Sequence, residues 1–107
     1  MPVAASSDTF PELVKRGNVL VDFWGPHCQP CIALMPAVEA LEERYAGRLR
    51  VVKVNAPENR QLCRDLRVAG LPTYLFFRNE TEVERLGGTL TEADIAAAAA
   101  RLVEGGE

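Results

Sequence analysis

The chain has 107 residues, of which 48% are hydrophobic and 25% are charged, and its formal net charge is −3. This length and composition are typical of one globular domain and exclude a disordered or fibrous chain. Interleaved acidic and basic residues leave no basic face for a nucleic-acid backbone, and no apolar run approaches the roughly 20 residues that span a bilayer.

The N-terminal region predicts a short helix and no targeting segment. Residues 1–8 contain neither a basic start nor an apolar stretch of signal-peptide length, so a cytoplasmic protein is expected. Ser7 or Asp8 is expected to cap a helix over residues 10–15. Gly17 follows where a left-handed helix end favours glycine.

A buried strand and a long helix are predicted next. Residues 19–24 are apolar on both alternating faces except at Asp22, which is typical of a central strand covered on each side. Residues 28–45 have helical periodicity, and Pro36 is expected to bend this helix without ending it. The apolar face contains Leu34, Val38, Leu41 and Tyr45, and a solvated face is predicted for Glu39, Glu42, Glu43 and Arg44.

The second half of the chain predicts two further helices and three strands. The strands cover residues 50–55, 73–78 and 82–87, a helix covers residues 59–66, and the last two strands form a hairpin. Thr91 and Asp94 have the spacing of a capping box for a closing helix. This order makes the strands parallel early and antiparallel late. We therefore predict an α/β fold, a three-layer α/β/α sandwich with a central mixed sheet, in a single domain over residues 1–107.

Cys28 and Cys31 form a Cys-x-x-Cys pair between the buried strand and the long helix. The positive end of the helix dipole and the unpaired backbone N–H groups lower the pKa of a thiol at this position, so Cys28 is the predicted nucleophile. Cys31, one turn later, is the predicted resolving thiol. Burial should raise the pKa of Asp22, which is then a candidate acid–base group for Cys31, with Lys53 on the neighbouring strand as its partner.

Five features stand out along the chain: Val21-Asp22-Phe23-Trp24, Cys28-Gln29-Pro30-Cys31, Pro36, Gly70-Leu71-Pro72-Thr73 and Gly87-Gly88. Together they resemble the thioredoxin family. The resemblance covers nearly the whole chain and implies a thioredoxin fold with a cis peptide bond before Pro72, beside the disulfide. It also implies that extended substrate segments dock beside the cysteines, on Trp24, Gly70, Leu71, Pro72 and Gly88.

The resemblance further implies a protein-disulfide reductase that carries electrons through a redox-active Cys28–Cys31 disulfide. Its expected partners are disulfide-containing proteins and a thioredoxin reductase-like flavoprotein that uses a pyridine nucleotide. No bound cofactor, metal, nucleic acid or membrane is expected, and we expect a monomer.

Three positions depart from the common family pattern, which has Trp, Gly and Lys where this chain has His27, Gln29 and Ile32. We assign His27, Gln29 and Pro30 to the substrate-binding surface. An imidazole next to the nucleophile removes apolar contact area and, when protonated, favours the Cys28 thiolate. Gln29 can change the reduction potential in either direction.

Other functions compete with this interpretation. Within the family fold, a dithiol oxidant, an isomerase or a non-catalytic binding module remain alternatives. A structural zinc site would need His27 and Cys63 as further ligands, which form a poor set, and c-type haem attachment requires histidine where Ile32 lies. Cys63 is predicted to be a buried, inert thiol.

Overall fold

A five-stranded mixed sheet lies at the centre of the structure, a computed structural model that describes residues 1–105. The strands are β1 (Val3–Ala4), β2 (Asn18–Trp24), β3 (Arg50–Asn55), β4 (Thr73–Arg78) and β5 (Thr81–Gly87). Their order across the sheet is β1-β3-β2-β4-β5. β3 pairs in parallel with β1 and β2, whereas β4 runs antiparallel to β2 and β5. The predicted change from parallel to antiparallel pairing is confirmed.

Helices cover both faces of this sheet. They are α1 (Phe10–Leu13), α2 (Gln29–Arg44), α3 (Arg60–Asp65) and α4 (Glu92–Glu104), and a 3-10 turn covers Ala56–Glu58. α2 continues through Pro36, as predicted. None of the helices within residues 1–105 combines the length and the apolarity that crossing a membrane requires.

Alternating side chains of the strands divide the core into two layers, which gives the predicted three-layer sandwich. One layer, against α2 and α4, includes Leu20, Val51, Tyr74 and Phe76 from the sheet. The other layer, against α1 and α3, includes Val21, Phe23, Val52 and Leu75. Asp22 follows Leu20 by two residues, so it projects into the layer that α2 covers.

Some predicted boundaries and caps are wrong near the N-terminus. α1 ends at Leu13 instead of residue 15 and begins after Thr9, so neither Ser7 nor Asp8 caps it. Thr9 makes no capping side-chain bond within the described chain, because its Oγ1 accepts a hydrogen bond from the Ser6 N–H instead. The two-residue strand β1 was not predicted, since it is too short to show a periodicity. By contrast, the predicted capping box of Thr91 and Asp94 is confirmed.

The predicted solvated face of α2 is wrong for Glu39 and Glu42. Glu42 Oε2 accepts a hydrogen bond of 2.8 Å from the Val51 N–H, and Glu39 Oε2 lies 3.4 Å from Lys53 Nζ. Both carboxylates therefore connect α2 to β3. Glu43 and Arg44 are exposed, as predicted.

Candidate active site

The candidate active site lies at one edge of the sheet, where four strand ends meet. Trp24, the last residue of β2, is paired with Asn55 at the end of β3. Thr73, the first residue of β4, is paired with Phe23 and with Gly87 at the end of β5. Loops that leave these ends therefore converge on the N-terminus of α2, where the cysteine pair lies.

Cys28 and Cys31 form a disulfide with a Cα–Cα distance of 5.3 Å. Cys28 is the N-cap residue of α2, and its Sγ accepts a hydrogen bond of 3.3 Å from the Cys31 N–H. Cys28 is partly exposed, whereas Cys31 is 0% exposed. Cys28 thus lies at the helix terminus as a partly exposed residue, and Cys31 lies in the core.

The loop before β4 packs against the loop before α2. The Leu71–Pro72 peptide bond is cis, which confirms the expectation from the family resemblance. Thr73 Oγ1 donates a 2.6 Å hydrogen bond to the Gly70 carbonyl and so ties the loop to the strand. A Cβ atom at Gly25 would lie 3.2 Å from Leu71 Cδ1, so the two loops approach closely at this glycine, and a larger residue would require the Leu71 side chain to shift.

Asp22 is 0% exposed, and neither oxygen of its carboxyl group has a hydrogen-bond partner among residues 1–105. Burial in the apolar core raises the pKa of this carboxyl group from 3.8 to about 7. The positive charge of Lys53 opposes this increase in pKa, and the negative charge of Glu39 adds to it. The predicted buried carboxylate is therefore present, on the sheet face that α2 covers.

Lys53 is the register partner of Asp22 on β3, but its ammonium group makes its contacts elsewhere. Nζ donates hydrogen bonds to Met35 Sδ at 3.0 Å and to Glu39 Oε2 at 3.4 Å. It also lies 5.5 Å from the centroid of the Trp24 ring. Within the described chain, the ammonium group forms no ion pair with Asp22.

Tyr74 is the register partner of Asp22 on β4, so the carboxyl group has an ionisable neighbour on each side. The ring of Tyr74 is fully buried, and no residue in the described range bonds to its hydroxyl group. Burial and the negative charge of Asp22 both raise the pKa of Tyr74, which keeps its hydroxyl group protonated.

The remaining predicted site residues have different exposures. His27, Gln29, Pro30, Gly70 and Gly88 are exposed, Trp24 and Leu71 are half-buried, and Pro72 is buried. Gly88 has a φ of +84°, a conformation that favours glycine. The loops thus bring the predicted surface residues to the same sheet edge as the cysteines.

Cys63 is a buried free cysteine in the core layer against α1 and α3. Burial raises the pKa of its thiol, as expected for an inert cysteine. Over the residues that the structure describes, His, Cys, Asp and Glu side chains form no group of three or more that could hold a metal ion. The zinc interpretation therefore has no ligand set in this part of the chain.

The thioredoxin family model matches residues 2–101, which is most of the chain. The chain belongs to the thioredoxin family. It is 37% identical over 93 residues to thioredoxin of Acetoanaerobium sticklandii, covering 85% of each chain. It is 35% identical over 93 residues to thioredoxin 1 of Nostoc sp., covering 85% of this chain and 87% of the relative.

A solved structure supports the same assignment. A mutant thioredoxin from Halobacterium salinarum NRC-1 superposes with a TM-score of 0.85 at 28% identity, covering 95% of this chain and 90% of the other. Thioredoxins are protein-disulfide oxidoreductases. With its disulfide-forming pair Cys28 and Cys31, this family member is a thiol–disulfide oxidoreductase.

Three residues around Asp22 were not predicted as part of the site: Met35, Glu39 and Tyr74. A signal for the first two was present in the sequence, because Cys31, Met35 and Glu39 follow one another at intervals of four residues and therefore share one helix face. Tyr74 carries a hydroxyl group at an inward-facing position of a buried strand. A buried hydroxyl group is normally hydrogen-bonded, so a tyrosine at such a position was the signal for a polar neighbour in the core.

Proposed function

We propose that the chain reduces protein disulfides by a two-step exchange at Cys28 and Cys31. In the reduced protein, the Cys28 thiolate attacks one sulfur of a substrate disulfide, and the other substrate sulfur leaves as a thiolate that takes up a proton. Cys31 then loses its proton and attacks Cys28 Sγ. The Cys28–Cys31 disulfide forms, the second substrate thiolate leaves, and the substrate has gained two electrons.

The different exposure of the two cysteine residues is the observation that carries this proposal. Only a sulfur that reaches the surface can attack a protein substrate, and Cys28 is partly exposed whereas Cys31 is fully buried. Cys28 also caps α2, where the Cys31 N–H and the helix dipole stabilise a thiolate. The roles of nucleophile and resolving thiol follow from these positions.

Asp22 supplies the proton acceptor for the second step. A general base works best when its pKa lies near the working pH, and burial raises the pKa of Asp22 to about 7. Its charged form takes the proton of Cys31, and the neutral form later returns a proton when the disulfide is reduced. The positive charge of Lys53 lowers the pKa of Asp22 and so opposes the effect of burial.

The substrate docks as an extended segment along the exposed residues beside Cys28. The backbone at Leu71, held by the Pro72 loop, offers edge pairing, and Trp24, His27 and Gly88 border the same surface. Gln29 and Pro30 form the rim of this surface at the first turn of α2.

A thioredoxin reductase-like flavoprotein, using a pyridine nucleotide, reduces the Cys28–Cys31 disulfide again. The chain therefore works in the cytoplasm as a monomeric electron carrier for cell redox homeostasis. It uses no bound cofactor beyond its own redox-active disulfide.

The Cys31→Ser variant tests the two-step mechanism. It retains the nucleophile and lacks the resolving thiol, so the mixed disulfide on Cys28 should accumulate to near one substrate per chain and multiple turnover should stop. Intact-protein mass spectrometry with a single-disulfide substrate measures the adduct, and peptide mapping locates the linked cysteine. An adduct on Cys63, or sustained turnover by this variant, would refute the assigned roles.

Replacing His27 with tryptophan tests the docking surface. His27 is exposed, and burying roughly 40 Å² of added apolar surface in the complex would stabilise it by about 1 kcal/mol. The KM for a protein disulfide should fall about fivefold, with kcat changed less than about twofold. Arg48→Trp is the matched control, because Arg48 is exposed in the loop after α2, beside Asn18 at the opposite end of β2. An equal change in KM in both variants would remove His27 from the docking surface.

A further inference from the structure

The Lys53 ammonium group is held by three neighbours, and none of them is the carboxyl group next to it in the sheet. Glu39 and Met35 on α2 accept its hydrogen bonds, and the Trp24 ring lies beneath it. The side chains of Lys53 and Glu39 are 22% and 43% exposed, so this cluster lies where α2 meets the protein surface. An ammonium group within about 6 Å of an aromatic centroid is attracted to its face.

Asp22 has no partner among the described residues although Lys53 is directly beside it in the register. Adjacent strands are about 4.8 Å apart, and the four-carbon stem of lysine spans such a distance easily. Reach therefore does not explain the separation between the ammonium group and the carboxyl group. The competing contacts on α2 do explain this separation, because Glu39 and Met35 offer the ammonium group an anion and a thioether acceptor on that helix.

We propose that Glu39 is a positioning residue that, with Met35, anchors the Lys53 ammonium group against α2 and away from the Asp22 carboxyl group. The inference rests on the proposed function, in which Asp22 exchanges a proton with Cys31. It adds a residue outside the cysteine pair that sets the charge state of Asp22 by controlling where Lys53 lies.

Three charged or titratable groups lie beside Asp22 in the sheet or act on it by their charge. Lys53 lies on β3, Tyr74 lies on β4, and Glu39 lies on α2. Tyr74 remains neutral because its pKa is raised, so the balance at Asp22 depends on Lys53 and Glu39. An ammonium group in direct contact would favour the carboxylate, whereas one held by Glu39 leaves the neutral acid accessible near neutral pH.

The Glu39→Gln variant tests this inference. The amide keeps the size of the side chain and removes the anion, so Lys53 is free to move toward Asp22. The titration midpoint of Asp22 should fall by roughly one pH unit, because a cation that approaches a carboxylate lowers its pKa. The midpoint is read from the carboxyl carbon resonance of Asp22 in the disulfide form of the full chain, in which neither Cys28 nor Cys31 titrates.

The same substitution in a Lys53→Met background separates positioning from a direct effect of the Glu39 charge. If Glu39 acts through Lys53, Glu39→Gln should change the Asp22 midpoint much less in the Lys53→Met background than in the unmodified chain. The difference between the two changes measures the coupling between Glu39 and Lys53. Glu43→Gln is the matched control, since Glu43 is an exposed carboxylate on the same helix. In this variant the Asp22 midpoint should shift by nearly zero.

Two results would overturn the inference: an unchanged Asp22 midpoint in Glu39→Gln, or a shift of equal size in the Lys53→Met background. The first result shows that Glu39 does not influence Asp22, and the second shows that it acts by its own charge. The titration is measured without turnover, so it tests this inference separately from the proposed function. The proposed function fails if the pH–rate profile of Asp22→Asn matches that of the unmodified chain.

Discussion

Replacing Cys28 with serine is expected to abolish the reduction of insulin disulfides, with dithiothreitol as the electron donor. Serine keeps the N-cap geometry of α2, because its oxygen also accepts the N–H of residue 31. A hydroxyl group is scarcely ionised at neutral pH, however, so the attack on a substrate sulfur is lost and the rate should fall by at least roughly a thousandfold. The buried Cys31 does not replace it, since its sulfur has no access to solvent.

Cys63→Ala provides the control for this prediction. Cys63 is buried in the core layer against α1 and α3 and is not part of the disulfide, so its removal should leave the rate of insulin reduction within about twofold. Residual turnover by Cys28→Ser at more than about one per cent of the normal rate would contradict the assignment of the nucleophile.

The parts of the fold that follow from local chemistry were predictable. The predicted bounds of β3 and β4 match the structure, because short runs rich in valine or aromatic residues between turn residues are characteristic of strands. The capping box before α4 was equally clear, since its two hydrogen bonds depend only on residues three positions apart. Elements that tertiary contacts define were less visible: β1 has two residues and exists only by pairing with β3.

The candidate site shows a similar division between local and tertiary information. Spacing alone placed Cys28 and Cys31 on one helix face, and the structure joins them in a disulfide. The cis bond before Pro72 came from the family resemblance, because only about 5–6% of X-Pro bonds are cis. The contacts of Lys53 were not predictable, since a long flexible side chain can reach any of several acceptors and packing between α2 and β3 decides among them.

The Asp22→Asn variant should change how stability depends on pH. In the native protein the pKa of Asp22 is raised from 3.8 to about 7, so between these values the folded chain keeps a proton that the unfolded chain releases. The stabilising contribution of the neutral acid is therefore fully present below about pH 3.8 and is lost as the pH rises through about 7. The whole change corresponds to roughly 4 kcal/mol, and more than half of it falls between about pH 5 and pH 8.

Asparagine has a similar shape and cannot ionise, so this part of the pH dependence should vanish in the variant. Urea unfolding of the disulfide form measures it as the difference in unfolding free energy between the variant and the unmodified chain. That difference should grow in favour of the variant by roughly 3 kcal/mol from about pH 5 to pH 8. In Asp8→Asn, which removes an exposed carboxylate near the N-terminus, the same difference should stay nearly constant. Parallel stability curves for Asp22→Asn and the unmodified chain would mean that Asp22 is already ionised at about pH 5. The carboxyl group could not then hold and return a proton near neutral pH during the thiol–disulfide exchange.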